Sequence, residues 1–136
     1  GVLEHVKDDY AFLKELKDAK NLYTTVPNAD SFHRYFGVKL GLLDDITELK
    51  AHDHEVGHER YYTFAAYKKL MEKFCREFGF KIKSFGTTSM KVFSNIEMNG
   101  LGDRIEAFNQ TGEELGLVGE DAKHGAELYC LLEKTK

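Results

Sequence analysis

The sequence contains one proline, two cysteines and no apolar run near the ~18 residues that a membrane-spanning helix needs. A span is therefore not expected, and because no basic stretch precedes an apolar one at the start, neither is a signal peptide. One proline among twelve scattered glycines excludes collagen-like and low-complexity chains. Two cysteines are too few for a secreted disulfide scaffold, so we expect Cys75 and Cys130 to be buried free thiols in a reducing, cytoplasmic environment.

What the sequence does contain is enough apolar material for one core. It has 42% hydrophobic and 12% aromatic residues in 136 positions, which predicts a single compact domain over residues 1–136. The net charge of -4 argues against a protein that binds nucleic acid through overall positive charge. The charge is unevenly placed, however. Residues 68–91 hold seven basic and two acidic side chains, while both neighbouring segments are acidic.

Hydrophobic spacing predicts helix over most of the chain. Apolar residues recur at intervals of three and four over residues 3–20 and, most regularly, over residues 60–78, where Gly79 provides a stop signal. A final helix is predicted over residues 121–134. Further short helices are expected near the capping candidates Asp30, Asp44 or Asp45, and Asp103.

The period changes to two after Gly79. Apolar and polar residues alternate over residues 80–85 and again over residues 90–98, and a short glycine-containing loop separates the two runs. This arrangement predicts an antiparallel β-hairpin near residues 80–98. The expected fold class is therefore α+β, a predominantly helical single domain with five or six helices and one hairpin.

Residues 54–58 read His-Glu-Val-Gly-His. On a continuous helix the two histidines project from one face, where they can bind a single zinc ion beside a glutamate. The five residues resemble the signature of the zincin metallopeptidases. That resemblance implies that His54 and His58 are metal ligands and that Glu55 is the catalytic general base. It makes zinc the one cofactor that the sequence suggests.

The residues around this motif differ from those of a buried zincin helix. Asp53 precedes the motif and Glu59 follows it, which is typical of a solvated segment. No downstream acid is singled out as a third ligand, and Gly57 within the motif costs about 1 kcal/mol of helix propensity relative to alanine. A zinc-dependent hydrolase is therefore the alternative interpretation of this chain.

The main interpretation of the protein's function depends on the predicted hairpin. Its outer face is expected to carry lysines interleaved with phenyl rings, which can contact phosphates and stack on unpaired bases. These partner-binding candidates are Lys81, Lys83, Phe85, Lys91 and Phe93. The same pattern also fits lysines that protect a sheet edge and rings that other helices cover.

The sequence thus predicts a small non-catalytic binding or regulatory module. Its basic, aromatic hairpin face would contact a protein or a nucleic acid, and association into a homo-oligomer stays open. Whether the chain is an enzyme also stays open, since the zinc-hydrolase alternative depends on the motif at residues 54–58.

Overall fold

The computed structural model describes residues 1–92, 102 and 104–135. A short 3₁₀ helix at Leu3–His5 comes first. The α-helices are α1 (Asp9–Lys14), α2 (Phe32–Lys39), α3 (Ala51–Glu55), α4 (Phe64–Phe78) and α5 (Arg104–Glu114). The β-strands are β1 (Asn21–Pro27), β2 (Phe80–Thr88), β3 (Gly119–Glu120) and β4 (Glu127–Lys134).

The strands form one antiparallel sheet in the order β1-β4-β2-β3. Strand β4 lies between β1 and β2, so β4 is an inner strand of the sheet and β1 is an edge strand. In the β1–β4 ladder Asn21 pairs with Glu133 and Pro27 pairs with Glu127. In the β2–β4 ladder Phe80 pairs with Lys134. Every pairing of β4 therefore joins residues far apart in sequence.

Helix α4 covers one face of this sheet. Tyr67, Met71 and Phe74, spaced by four and three residues, are completely buried against the inward side chains of the strands. The Thr63 side chain begins the helix by accepting a hydrogen bond from the Ala66 amide at 3.1 Å. The core comprises Leu3, Leu13, Val26, Tyr62, Tyr67, Met71, Phe74, Phe80, Phe85, Leu128, Cys130 and Leu132.

The predicted fold class is wrong in its proportions. Over the described residues the structure is 38% helix and 22% strand, with five helices and a four-stranded antiparallel sheet. The chain is α+β with a full sheet at its centre rather than a helical domain carrying one hairpin. The helix predicted over residues 60–78 is confirmed as α4, and Gly79 ends it with a φ of 75°.

The largest error concerns the C-terminal segment. No helix forms over residues 121–134 as predicted: residues 121–126 are turns and irregular structure, and the rest is β4, in which Leu128, Cys130 and Leu132 are buried at alternate positions. This alternation has the two-residue period of a half-buried strand. The helix predicted over residues 3–20 is likewise interrupted, because α1 ends at Lys14 and β1 begins at Asn21.

The predicted hairpin is also wrong in its pairing. Its first half is strand β2, but the hydrogen-bonded neighbours of β2 are β4 and β3. Residues 89–92 are not in a strand, and residues 93–98 lie outside the described part of the chain.

The capping candidates in the first half of the chain have other roles. The cap position of α2 is Ser31, and Asp30 accepts a hydrogen bond from the Phe64 amide instead. Residues 41–50, where a helix was expected after Asp44 or Asp45, form turns and irregular structure. Within the portion of the chain that the structure describes, no helix is both long and apolar enough to span a bilayer.

Candidate functional site

The sheet has a second face, opposite the core, whose side chains are mostly exposed or half-buried. The register places Asn21, Glu133 and Lys81 in one row across β1, β4 and β2. The next row along the strands is Tyr23, Leu131 and Ser84, followed by Thr25, Tyr129 and Gly86. This face therefore presents aromatic and charged side chains.

A β-bulge at Lys83 decides which side chains of β2 lie on which face. The β2–β4 register shifts between Ile82 and Ser84, so Lys83 is the extra residue on the bulged strand. The bulge reverses the alternation, and Phe80 and Phe85 consequently both lie on the core side.

Phe85 is thus not on the solvent face, as the sequence predicts, but only 4% exposed. Its ring packs edge-on against Phe64 with 5.0 Å between ring centroids, and it lies 5.9 Å from the ring of Tyr67. A side chain in this position stabilises the core and is closed to a partner.

Two tyrosines take the place on the open face that the phenylalanines were expected to hold. Tyr23 on β1 is 62% exposed, and its ring stacks against Tyr129 of β4 with a centroid distance of 6.3 Å and an interplanar angle of 25°. The Tyr129 hydroxyl lies 2.9 Å from the Ser84 hydroxyl. That contact fixes the half-buried ring across two strands, while the ring of Tyr23 stays open to solvent.

The two lysines of β2 do lie on this face. Lys81 and Lys83 are both exposed, and the ammonium of Lys83 is 3.5 Å from the Glu133 carboxylate. An exposed ion pair of this kind is weak in water, about 0–1 kcal/mol, so Lys83 is readily released to another anion.

The remaining predicted partner residues are elsewhere. Lys91 is half-buried and lines a cleft beside helices α2 and α3. Phe93 lies outside the described residues. The structure therefore brings together Lys81 and Lys83 but separates them from Phe85 and Lys91. Sequence reasoning missed Tyr23 and Tyr129; the available signal was the aromatic and β-branched content of residues 23–26, which favours a strand.

The His-Glu-Val-Gly-His motif does not lie on one continuous helix. Helix α3 ends at Glu55, and Gly57 adopts a φ of 82°, which turns the chain away from the helix axis. His54 and Glu55 are exposed, whereas His58 comes after the turn and is half-buried. The i and i+4 relation that would aim both imidazoles at one ion therefore fails.

His58 instead joins a structural cluster. Its Nδ1 atom is 3.4 Å from Asp53 Oδ1, and its ring centroid is 4.8 Å from that of His5. Tyr61 meets the His58 ring edge-on at 5.8 Å. Among the described residues, no group of three or more His, Cys, Asp or Glu side chains has the arrangement of a metal site.

Asp53 is the centre of that cluster. It accepts hydrogen bonds from the Lys50 amide at 2.8 Å and from the Tyr61 hydroxyl at 2.7 Å. Burial opposes ionisation of this carboxyl, but the two hydrogen bonds and the nearby charges of Arg34 and His58 outweigh it and lower its pKa. The cluster therefore holds the loop after α3 in place.

The sequence matches no protein-family model and no curated protein. The function of this chain is accordingly inferred from the geometry of its surfaces.

Proposed function

We propose that this protein is a binding module for single-stranded nucleic acid that uses the open face of its sheet. The tyrosine face comprises Tyr23, Tyr129, Lys81 and Lys83. The observation that carries the proposal is the stacked tyrosine pair beside these two lysines. Aromatic rings on an open sheet stack on unpaired bases, and lysines close by contact the phosphates.

The composition of the face favours nucleic acid over a protein partner. In the described strands Leu131 is the only large aliphatic residue on this side, and it is half-buried. The centre of a stable protein interface is more apolar than this. A flat aromatic pair with flanking cations instead supplies the two kinds of contact that a flexible single strand needs.

The expected affinity is modest. Each base that stacks on a tyrosine contributes about 1–3 kcal/mol. Two lysines neutralise few phosphates, so we expect the plot of log K against log salt to have a slope of about -1.4, or roughly -0.7 for each phosphate contacted. The net charge of -4 on the whole chain weakens long-range attraction.

The test is fluorescence anisotropy with a labelled twelve-nucleotide deoxythymidine strand at low salt. We expect Tyr23→Ala to weaken binding about 5- to 150-fold, the loss of one stacked base, while Tyr23→Phe keeps most of the affinity. Lys81→Glu combined with Lys83→Glu should reduce binding further. The matched controls are Tyr35→Ala and Lys69→Glu, which alter exposed residues on helices α2 and α4.

Three outcomes would contradict the proposal. The first is the absence of binding at low salt, and the second is equal affinity of Tyr23→Ala and the parent protein. The third is a loss in the Tyr35→Ala or Lys69→Glu control as large as that in the tyrosine-face variants. Circular dichroism of each variant separates loss of binding from loss of fold.

A further inference from the structure

A cleft of about 620 Å³ lies away from the tyrosine face. It is bounded by α2, α3, the segment of residues 89–92 and α5. Its volume falls within the range of about 300–1,000 Å³ that is usual for small-molecule sites. Much of its lining is apolar and includes Phe36, Leu40, Leu42, Leu43, Val56 and Met90.

A buried guanidinium forms part of the same lining. Arg34 is only 4% exposed, and its guanidinium lies 3.9 Å from the ring centroid of Tyr61. It donates hydrogen bonds to the backbone carbonyls of Ile46 and Glu48. These carbonyls orient Arg34, and no described carboxylate lies within ion-pair distance of it, although the charge of Asp53 interacts with it from farther away.

A second cation lines the cleft near Arg34. Lys91 is half-buried and, within the described ranges, forms neither a hydrogen bond nor an ion pair through its ammonium. Burial lowers the pKa of Lys91, the charges of Glu127 and Asp53 oppose that change, and the charge of Arg34 adds to it. Burial, together with the charges of Lys91 and Arg34, likewise lowers the pKa of the neighbouring His33 to about 3.

Neither carboxylate of the cleft forms an ion pair with these two cations. The Asp53 oxygens instead accept hydrogen bonds from the Lys50 amide and the Tyr61 hydroxyl. Glu127 is exposed and therefore lies at the rim rather than inside. The interior thus combines an apolar wall with the Lys91 ammonium, which has no ion-pair partner among the described residues, and this is complementary to a ligand having one anionic end and one apolar end.

We propose that this cleft binds a small amphiphilic carboxylate, such as a medium-chain fatty acid, with its carboxylate beside Lys91 and Arg34. The hydrocarbon part lies against the apolar wall, where its removal from water favours binding. The carboxylate supplies the counter-charge for Lys91. This site is independent of the tyrosine face, so either proposal can fail without the other.

The test compares octanoate, 1-octanol and octylammonium by isothermal titration calorimetry at pH 7. Each probe has eight carbon atoms in one unbranched chain, and at pH 7 the head groups are negative, neutral and positive respectively. We expect octanoate to bind at least 10-fold more tightly than octanol, and octylammonium to bind weakest. Lys91→Gln should remove the preference for octanoate, and Lys91→Arg should keep it. Lys69→Gln, on the exposed side of α4, is the matched control.

Each contrary result overturns the proposal. Equal binding of the three probes would show an apolar cleft without anion selectivity. A preference that persists in Lys91→Gln would place the anion elsewhere, and no heat with octanoate at millimolar concentration would show that the cleft holds no such ligand. Retained binding in Lys91→Arg guards against mistaking a folding defect in Lys91→Gln for loss of the site.

Discussion

At the scale of single residues, Asp53 shows how one carboxylate can hold several chain segments together. Its carboxylate accepts one hydrogen bond from the Lys50 amide, at the start of α3, and another from the Tyr61 hydroxyl, in the segment before α4. His58 lies beside it, and Arg34 packs on the ring of Tyr61. Removing this one acid therefore disturbs partners on three parts of the chain.

We expect Asp53→Asn to lower the free energy of unfolding at pH 7 by about 1.5–3 kcal/mol, as for hydrogen bonds to a charged group. Asparagine has one acceptor oxygen where aspartate uses two, so either Lys50 or Tyr61 loses its acceptor. Urea unfolding of both proteins measures the difference. The matched control is Asp18→Asn, an exposed acid, which should change stability by less than about 0.5 kcal/mol.

The same variant predicts a pH dependence. The pKa of Asp53 is lower in the folded protein than its ordinary value of 3.8. Its ionised form therefore stabilises the fold above pH 3.8, and that contribution disappears as the pH falls through the folded-state pKa. The stabilities of the parent and Asp53→Asn should thus converge in acid. A difference that stays constant down to acid unfolding would contradict this role.

The motif at residues 54–58 shows where residue-level prediction reaches its limit. The five residues of the motif include the side chains that a zinc site needs, but they do not determine the backbone conformation that would orient those side chains toward one ion. Gly57 adopts a left-handed conformation, which ends the helix and removes the shared face of His54 and His58. Glycine allows the left-handed conformation but does not require it. The contacts of His58 with Asp53 and His5 stabilise the turn in the folded protein.

We therefore expect protein purified without chelators to carry less than about a tenth of an equivalent of zinc, since two histidines on diverging backbone segments do not form a tight structural or catalytic site. Inductively coupled plasma mass spectrometry measures the content. About one zinc per chain, lost in His58→Ala but kept in His124→Ala, would refute this expectation and restore the hydrolytic interpretation.

At the scale of elements, α4 illustrates what local sequence can specify. Its apolar stripe, its Thr63 cap and its terminal Gly79 all lie within one short segment, and each signal agrees with the others. The helix is consequently predictable from residues 60–79 alone. Strand β2 begins directly after Gly79 and is also predictable from its alternation.

The cap of α4 gives a test of this local account. We expect Thr63→Ala to destabilise the protein by about 1 kcal/mol, because the Ala66 amide loses its side-chain acceptor. Thr63→Ser retains a hydroxyl at the same position and should stay close to the parent in thermal unfolding. Equal losses in the two variants would show that the methyl group of Thr63, rather than its oxygen, is what matters.

Strands β1 and β4 show what local sequence cannot specify. Their side chains alternate as strands require, but Asn21 meets Glu133 only when the whole chain folds. A short apolar run can be read as helix or strand until its partner is known. The burial of Phe85 cannot be predicted from local sequence for a related reason. It depends on the bulge at Lys83, which forms only when β2 pairs with β4.

At the scale of the whole molecule, β4 is the element on which the sheet depends. It pairs with β1 along seven positions and with β2 along most of its length, so both ladders are lost if it leaves. These long-range pairings form late relative to local helices, because closing a long loop costs chain entropy. The open tyrosine face exists only once β4 is in place.

Cys130 lies in the centre of β4, so the reactivity of its thiol measures whether β4 is paired in the sheet. It is fully buried, and burial raises the pKa of its thiol to about 12. In a Cys75→Ala background, we expect a thiol reagent to label Cys130 about 10³-fold or more slowly than in the unfolded chain, since the thiol becomes reactive only when the sheet opens. Labelling across a urea series measures this, and its rate should rise with the fraction of unfolded protein. Fast labelling in native buffer, with circular dichroism unchanged, would show instead that β4 leaves the sheet locally, and the tyrosine face would then be a transient surface.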